Sequence, residues 1–150
     1  MKNIILVIIA IIPFISFSQE NPNYNDSLAT SLGADDYGMK SYVLVLLKTG
    51  SNSSTDIEER KKSFQGHMAN IGKMVKANQL VIAGPMGKND DSIRGIFILN
   101  TSTVEEAREI LKSDPAISAN YLEAVFYPWY GSAALSTYLP FSDQVWKKQP

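Results

Sequence analysis

The chain has 150 residues, of which 45% are hydrophobic and 19% are charged, and its formal net charge is −1. This length allows one globular domain with a real core and excludes two full-sized domains. A near-neutral charge without a basic cluster gives no reason to expect a nucleic-acid partner. The sequence contains no cysteine, which excludes disulfides, thiol chemistry and cysteine-ligated metal.

Residues 1–18 predict a secretory signal peptide. Lys2 supplies a positive charge, residues 4–12 are all apolar, and small residues follow at the expected cleavage site. We expect cleavage between Ser18 and Gln19 and export to the periplasm or the extracellular space. An uncleaved anchor is the alternative, but the apolar run is short for a membrane span and a proline ends it. We therefore expect no stable membrane span after cleavage.

Three regions follow the signal peptide. Residues 19–36 are polar and predict a flexible leader. Residues 37–131 predict a single folded domain. Residues 132–150 form a tail with four large apolar side chains, Tyr138, Leu139, Phe141 and Trp146. Such a tail is too apolar to remain free, so we expect it to wrap a partner or to cover a sheet edge.

Apolar periodicity and turn residues predict six elements in the domain. They are a strand over 41–47, a helix from its cap Asp56 to about Asn78, strands over 80–83 and 93–99, a helix opened by the capping box of Thr103 and Glu106, and a strand over 121–129. This order is that of the split β-α-β, or ferredoxin-like, fold, with both helices on one face of an antiparallel sheet. The predicted fold class is therefore α+β.

The spacing of apolar residues also predicts which helix faces are buried. In the first helix these residues are Phe64, Met68, Ile71 and Val75, and His67 borders that face. In the second helix they are Val104, Ala107, Ile110 and Leu111.

The strands over 43–47 and 96–99 are apolar on both faces, although the helices can cover only one of them. The simplest cover for the other face is a second copy of the chain. We therefore predict a homodimer in which the two sheets face each other.

His67 is the first candidate for chemistry, because it is the only histidine and histidine readily gains and loses a proton near neutral pH. Asp114 is the carboxylate best suited to orient it. Two simpler interpretations remain open. His67 is also explained as a border residue bonded to a backbone carbonyl, and Asp114 as a helix cap with Pro115 at the first helical position. Because a carboxylate has two oxygens, Asp114 is able to do both jobs.

Two further features are candidates for substrate binding. Arg94 interrupts an apolar strand and is suited to hold an anionic group, or else it extends along the sheet edge to water. Gly84, Pro85 and Met86 are suited to line a pocket with backbone amides, or else they form the turn that ends a strand.

The sequence predicts no metal site and no cofactor. One histidine cannot form a multi-histidine site, and the acidic pairs Asp35-Asp36 and Asp90-Asp91 lie in loops. The chain contains no glycine-rich phosphate loop, no nucleophile-elbow motif and no haem motif. We therefore expect the ligand to be a small molecule bound by protein groups alone.

Six segments occur in a recognisable order, at 37–40, 43–48, 67–74, 80–85, 94–97 and 113–116. Together they resemble the YciI-like (YCII-related) domain family over residues 37–131. The resemblance implies a dimeric α+β barrel with a histidine–aspartate pair in a cleft, which corresponds here to His67 and Asp114. It favours a small-molecule enzyme that uses the pair for acid/base proton transfer in an elimination, isomerisation or hydrolysis. The alternative is a non-catalytic dimeric module that binds a small ligand in the same cleft.

Overall fold

A computed structural model describes residues 21–147, apart from the side chain at position 143. Its elements are helix α1 (Asp26–Leu32), strand β1 (Met39–Thr49), helix α2 (Ile57–Lys76), strands β2 (Leu80–Pro85) and β3 (Ile93–Leu99), helices α3 (Val104–Leu111) and α4 (Pro115–Ser118), strand β4 (Leu122–Ser132), and a run of 3₁₀ turns, Ala133–Gln144, called here the C-terminal segment. The predicted signal peptide lies outside the described residues. Within them, no helix combines the length and the hydropathy that crossing a membrane requires.

The four strands form one sheet in the order β2-β3-β1-β4, and every neighbouring pair is antiparallel. The central strand β1 pairs with β4 along its whole length, from Met39 opposite Ser132 to Thr49 opposite Leu122. Helices α2 and α3 both pack on one face. The predicted α+β class with a ferredoxin-like order of elements is therefore confirmed.

The main core lies between this face and the helices. Alternate residues of β1, namely Val43, Val45 and Leu47, are buried there because successive strand side chains point to opposite faces. They meet helix residues that are also almost fully buried, Met74, Ala107 and Leu111. Burying each large apolar side chain contributes roughly 1.5–3 kcal/mol before entropy is counted.

The inner face of helix α3 agrees with the prediction, because Ala107 and Leu111 are buried there. Its capping box forms only in part. The Thr103 side chain accepts a hydrogen bond from the Glu106 amide, but the Glu106 carboxylate accepts one from the Thr101 hydroxyl instead of reaching back to the cap. The helix start is thus fixed by Thr103 alone.

Helix α2 differs from its prediction. Met68 and Val75 were expected in the core, yet Met68 is 48% exposed and Val75 is 36% exposed. The buried residues of α2 are Ser63, His67, Asn70 and Met74. Phe64 and Ile71 pack against the core as predicted, but the helix is rotated so that His67 and Asn70 are also buried and find hydrogen-bond partners there.

The polar leader also differs from its prediction, because it contains helix α1. Asn25 caps α1 by accepting from the Leu28 amide, and Gly33 ends it in the left-handed region at φ +70°. No residue of α1 is buried. Beyond it, Asp35 accepts hydrogen bonds from the Met39 amide and the Tyr130 hydroxyl, which tie the leader to the sheet.

The second face of the sheet is covered at one end only. Tyr42, Val81 and Ile98 form a small buried cluster there, and Leu135 of the C-terminal segment packs against it. The Tyr138 hydroxyl donates to the Val81 carbonyl and anchors the same segment. The first part of the tail thus lies on the sheet of its own chain, whereas Phe141 is 60% exposed and Trp146 is 47% exposed.

Candidate active site

Two helix starts determine where the candidate side chains lie. Asp56 caps α2 by accepting from the amides of Glu58 and Glu59, which sets the start of this 20-residue helix and places His67 near its middle. Asp114 caps α4 and has Pro115 after it at the first helical position. Proline has no amide hydrogen to leave unpaired there, so the Asp-Pro step both stops α3 and starts α4.

Helices α2 and α4 are in close contact at Gly66 and Pro115. A Cβ atom built on Gly66 would lie 2.6 Å from Cγ of Pro115. Only glycine leaves enough room for this approach. Because Gly66 precedes His67 and Pro115 follows Asp114, the contact brings the histidine and the aspartate side by side.

The structure brings His67 and Asp114 into direct hydrogen-bond contact. His67 Nδ1 lies 2.8 Å from Asp114 Oδ2. The His67 residue is 8% exposed, and Asp114 is fully buried. The pair therefore lies at the inner side of the helix layer and not on the protein surface.

The Asp114 carboxylate accepts four hydrogen bonds. Its Oδ1 accepts from the amides of Ala116 at 3.1 Å and Ile117 at 3.2 Å. Its Oδ2 accepts from His67 and from Asn70 Nδ2, the latter at 3.2 Å. Asp114 thus acts as a helix cap and as a partner of His67 at once, one oxygen for each role.

These contacts keep Asp114 ionised despite its burial. Burial alone raises the pKa of this carboxyl, but the hydrogen bond and the charge of His67 lower it, as do the bonds from Ile117 and Asn70. The net result is a pKa below the ordinary value of 3.8. An ionised carboxylate only accepts hydrogen bonds, so His67 carries its ring proton on Nδ1.

The other ring nitrogen of His67, Nε2, has no hydrogen-bond partner in the described range 21–147. In that range the one fully buried side-chain nitrogen or oxygen without a partner is the Tyr121 hydroxyl, so His67 Nε2 keeps contact with solvent. A neutral His67 therefore presents a free lone pair at an otherwise buried position.

Two aromatic rings hold the imidazole in place. Phe97 of β3 stacks against it, with ring centroids 5.7 Å apart and planes 21° apart. Phe64 meets it edge-on at 6.2 Å and 73°. The ring is thus fixed by packing on two sides and by a hydrogen bond on a third, which is the pre-organisation that a proton-transfer group requires.

The other predicted site residues lie elsewhere. Arg94 is exposed, and its Nε donates to the Thr49 hydroxyl at 2.6 Å. Gly84 and Pro85 belong to β2, which runs two residues further than predicted, and Met86 donates its amide to the Arg94 carbonyl at 2.8 Å. All four residues lie where β2 and β3 meet the turn between them, without a hydrogen bond to His67 or Asp114.

The described part of the chain contains no set of side chains that could bind a metal ion near His67 and Asp114. No set of three or more His, Asp or Glu side chains there is arranged to hold a metal ion. Asp114 is fully hydrogen-bonded, so Nε2 of His67 is the atom of the pair that keeps a free lone pair.

Sequence reasoning missed two residues of the site, Asn70 and Phe97. A signal for Asn70 was present, because it follows His67 by three positions and such residues share a helix face. Phe97 reads as an ordinary core residue of an apolar strand. Its role against the imidazole depends on the packing of α2 over β3, which no local pattern specifies.

Comparison with known sequences agrees with this architecture. The profile of the YCII-related domain family matches residues 42–128, more than half of the chain. The chain belongs to this family. The matched YCII-related domain includes β1 through most of β4 and contains both His67 and Asp114. It confirms the resemblance inferred from the sequence.

Other comparisons are more distant. No significant relative was found among curated proteins. Among solved structures, the chain is similar to 5-chloro-2-hydroxyhydroquinone dehydrochlorinase from Burkholderia phenoliruptrix AC1100 in complex with 2,5-dihydroxybenzoquinone. The identity is 18%, the match covers 58% of this chain and 92% of that one, and the TM-score is 0.42. The substrate of the present protein has to be inferred from its own site.

Proposed function

We propose that this YCII-related protein is a small-molecule enzyme in which His67 transfers a proton through Nε2. The observation that carries the proposal is the Asp114 carboxylate, which is fully buried and accepts four hydrogen bonds, one of them from His67 Nδ1. A buried ionised group is costly unless it is compensated, and here the compensation fixes the orientation and tautomer of a histidine.

The chemistry follows from this arrangement. Neutral His67 removes a proton from the substrate at Nε2, and the adjacent negative charge of Asp114 stabilises the imidazolium that forms. His67 then returns the proton to the product or to water. Asp114 has no free lone pair, so it remains ionised throughout and does not exchange protons itself.

This cycle favours elimination or isomerisation by direct proton abstraction. Hydrolysis through a serine nucleophile is less well supported, because a nucleophilic hydroxyl has to be hydrogen-bonded to its base. Ser63, one helical turn before His67, is buried, yet it makes no hydrogen bond to His67 among the described residues. Hydrolysis by a water molecule activated at Nε2 remains compatible with the geometry.

A direct test uses 5-nitrobenzisoxazole, whose ring opens when a base removes one proton. We expect the purified protein to open it faster than buffer, and His67→Gln to abolish the excess rate. We expect Asp114→Asn to lower that rate by roughly 10²- to 10⁴-fold. Asp91→Asn, an exposed carboxylate change, is the matched control and should have no effect.

An excess rate that survives in His67→Gln would overturn the proposal. The non-catalytic binding module makes a different prediction. In that case no proton-transfer probe is turned over, and a small ligand found by screening binds His67→Ala as tightly as the unmodified protein.

We also propose that the protein forms a homodimer through the second face of the sheet. Strand alternation directs Leu44 and Leu46 to this face, and the register places Ile96 and Val125 beside Leu46. All four are only partly buried in one chain, and Tyr127 next to Leu44 is 46% exposed. A second copy would bury on the order of 1,200–2,000 Å² in total.

The dimer is tested by sedimentation equilibrium at micromolar concentration. We expect a dimer for the unmodified protein and a monomer for Leu46→Asp, which places a charge among the partly buried apolar residues of this face. Ser41→Asp is the control for a new charge on the same strand, because Ser41 is exposed near the start of β1 and strand alternation directs it to the face opposite Leu46. A monomeric unmodified protein would refute the proposal.

Export is the third element of the proposed function. It rests on the charge and hydropathy of residues 1–18 alone. Mass spectrometry of the protein recovered from its host should find Gln19 at the amino terminus, and retention of Met1 would contradict the proposal.

A further inference from the structure

We propose that Asn70 is a positioning residue that holds the ring proton of His67 on Nδ1 and so keeps Nε2 free. The inference rests on the proposed function, since a free Nε2 matters only if His67 transfers protons. The Asn70 side chain donates to Asp114 Oδ2 and has no hydrogen bond to His67 among the described residues, so its effect on Nε2 would pass through Asp114.

The first observation is that Asn70 and His67 converge on one atom. They lie three positions apart on the buried face of α2, each is 8% exposed, and both contact Asp114 Oδ2. The ionised carboxylate accepts hydrogen bonds only, so the Asn70 group facing it is the amide NH₂. Asn70 is therefore the second donor to the oxygen that orients the catalytic histidine.

The second observation is that, in the described part of the chain, this oxygen has no donor besides His67 and Asn70. The two backbone amides of α4 bond to Oδ1, on the other side of the carboxylate. Without Asn70, Oδ2 would retain a buried lone pair with no partner, which disfavours the ionised form. The Asn70 bond is one of the contacts that lower the pKa of Asp114.

The consequence for His67 is a change of tautomer. If Asp114 gained a proton, its hydroxyl would donate to His67 Nδ1, and the ring proton would move to Nε2. The lone pair needed for proton abstraction would then be lost. Asn70 therefore favours the ionised carboxylate, which keeps the ring proton of neutral His67 on Nδ1.

The alternative is that Asn70 has a purely structural role. Two variants that differ in charge and in hydrogen bonding distinguish this role from the positioning role. Asn70→Asp keeps the shape of the side chain but replaces the donor with an acceptor. Asn70→Leu keeps the volume and removes all hydrogen bonding. Met74→Leu is the matched control, because Met74 Sδ lies 3.9 Å from Asn70 Nδ2 and the change alters packing without touching Asp114.

The experiment is ¹⁵N NMR of the imidazole as a function of pH, on the protein that begins at Gln19. His67 is the only histidine, so its two ring nitrogens give unambiguous signals. We expect the Nδ1–H tautomer in the unmodified protein and in Met74→Leu. In Asn70→Leu and Asn70→Asp we expect the preference of neutral His67 for this tautomer to fall roughly tenfold.

An unchanged tautomer ratio and pH profile in a folded Asn70→Leu protein would overturn the proposal. If Asn70→Leu does not fold, as judged by circular dichroism, Asn70→Ser provides the same readout with a smaller donor and should give an intermediate ratio. A tautomer shift in variants of a protein that turns over no probe would support the role of Asn70 while rejecting the enzymatic function, so the two failures are distinguishable.

Discussion

Helices α2 and α3 lie on the same face of the sheet, yet they bury different kinds of side chain. Helix α3 directs Ala107 and Leu111 into the core, where burial is favourable without further conditions. Helix α2 buries Ser63, His67 and Asn70, and the burial of His67 and Asn70 is balanced by hydrogen bonds to Asp114. Helix α3 therefore contributes apolar packing, whereas α2 contributes a buried polar cluster whose stability depends on its hydrogen bonds.

The largest effect expected from this difference is that of Asp114→Ala. The change leaves the buried His67 and Asn70 without their shared acceptor and removes the cap of α4. We expect the free energy of unfolding to fall by about 3–5 kcal/mol, measured by urea denaturation. A loss below about 1 kcal/mol would mean that the polar face of α2 does not depend on Asp114.

Leu111→Ala in α3 should have a comparable effect on stability but none on the site. Leu111 is 2% exposed, and its truncation leaves a cavity that costs roughly 2–5 kcal/mol. The ¹⁵N spectrum of His67 should remain that of the unmodified protein. Leu111→Met, which conserves volume, is the control and should cost less than about 1.5 kcal/mol. A change of the His67 tautomer in Leu111→Ala would show that the two helices are not independent.

Gly66→Ala should affect both stability and the site. The new methyl group would meet Pro115, so α2 and α4 have to separate. We expect a loss of about 1–3 kcal/mol and a weaker His67–Asp114 hydrogen bond in the NMR spectrum. Gly72→Ala is the matched control in the same helix, because a Cβ there has nothing within 4 Å. It should raise stability by about 0.5–1 kcal/mol, and a similar gain in Gly66→Ala would contradict the close contact.

The acid sensitivity of folding should also follow Asp114. Its pKa in the folded protein lies below the ordinary 3.8 of an unfolded chain. Asp114 thus contributes stability that is fully present above that value and is lost as the pH falls below it through the folded pKa. We expect urea denaturation of the unmodified protein to show this loss, and Asp114→Asn to show a shallower dependence over the same range. Parallel curves for the two proteins would exclude a stabilising ionised Asp114.

The smallest change in the free energy of unfolding is expected for a substitution on the exposed side of α2. Met68 belongs to the apolar pattern of the helix, but its side chain is 48% exposed. Met68→Gln should change the free energy of unfolding by no more than about 0.5 kcal/mol. A thermal denaturation experiment that finds a loss near 2 kcal/mol would place Met68 in a buried contact, such as an interface with another chain.

Local signals predicted the elements of the fold well, because they depend on neighbouring residues. Asp56, Thr103 and Asp114 were recognisable as helix starts, and the apolar strands gave the sheet. The polar composition of the leader predicts a flexible segment, although Asn25 and Gly33 are typical residues at the two ends of a helix. Helix α1 buries no side chain, so its hydropathy carried no signal.

His67, Asp114 and the contact between them were predictable from the sequence, whereas Asn70, Phe97 and the orientation of α2 were not. A single histidine and an Asp-Pro step pointed to His67 and Asp114. The orientation of α2 depends instead on partners 44 and 47 positions away, which outweigh the apolar pattern of Met68 and Val75. The positions of Arg94 and Met86 likewise depend on the pairing of β2 with β3 and not on any local pattern.

The C-terminal segment limits how two sheets are able to face each other. It lies over the Tyr42 end of the second face and leaves the rows around Leu46 uncovered. A partner sheet that docks there has to be displaced towards the Leu46 end, and a two-fold axis would pass near that row instead of through the centre of the sheet. The segment lies beyond the matched YCII-related domain, so the register of the dimer would be set by an addition to the domain and not by the domain itself.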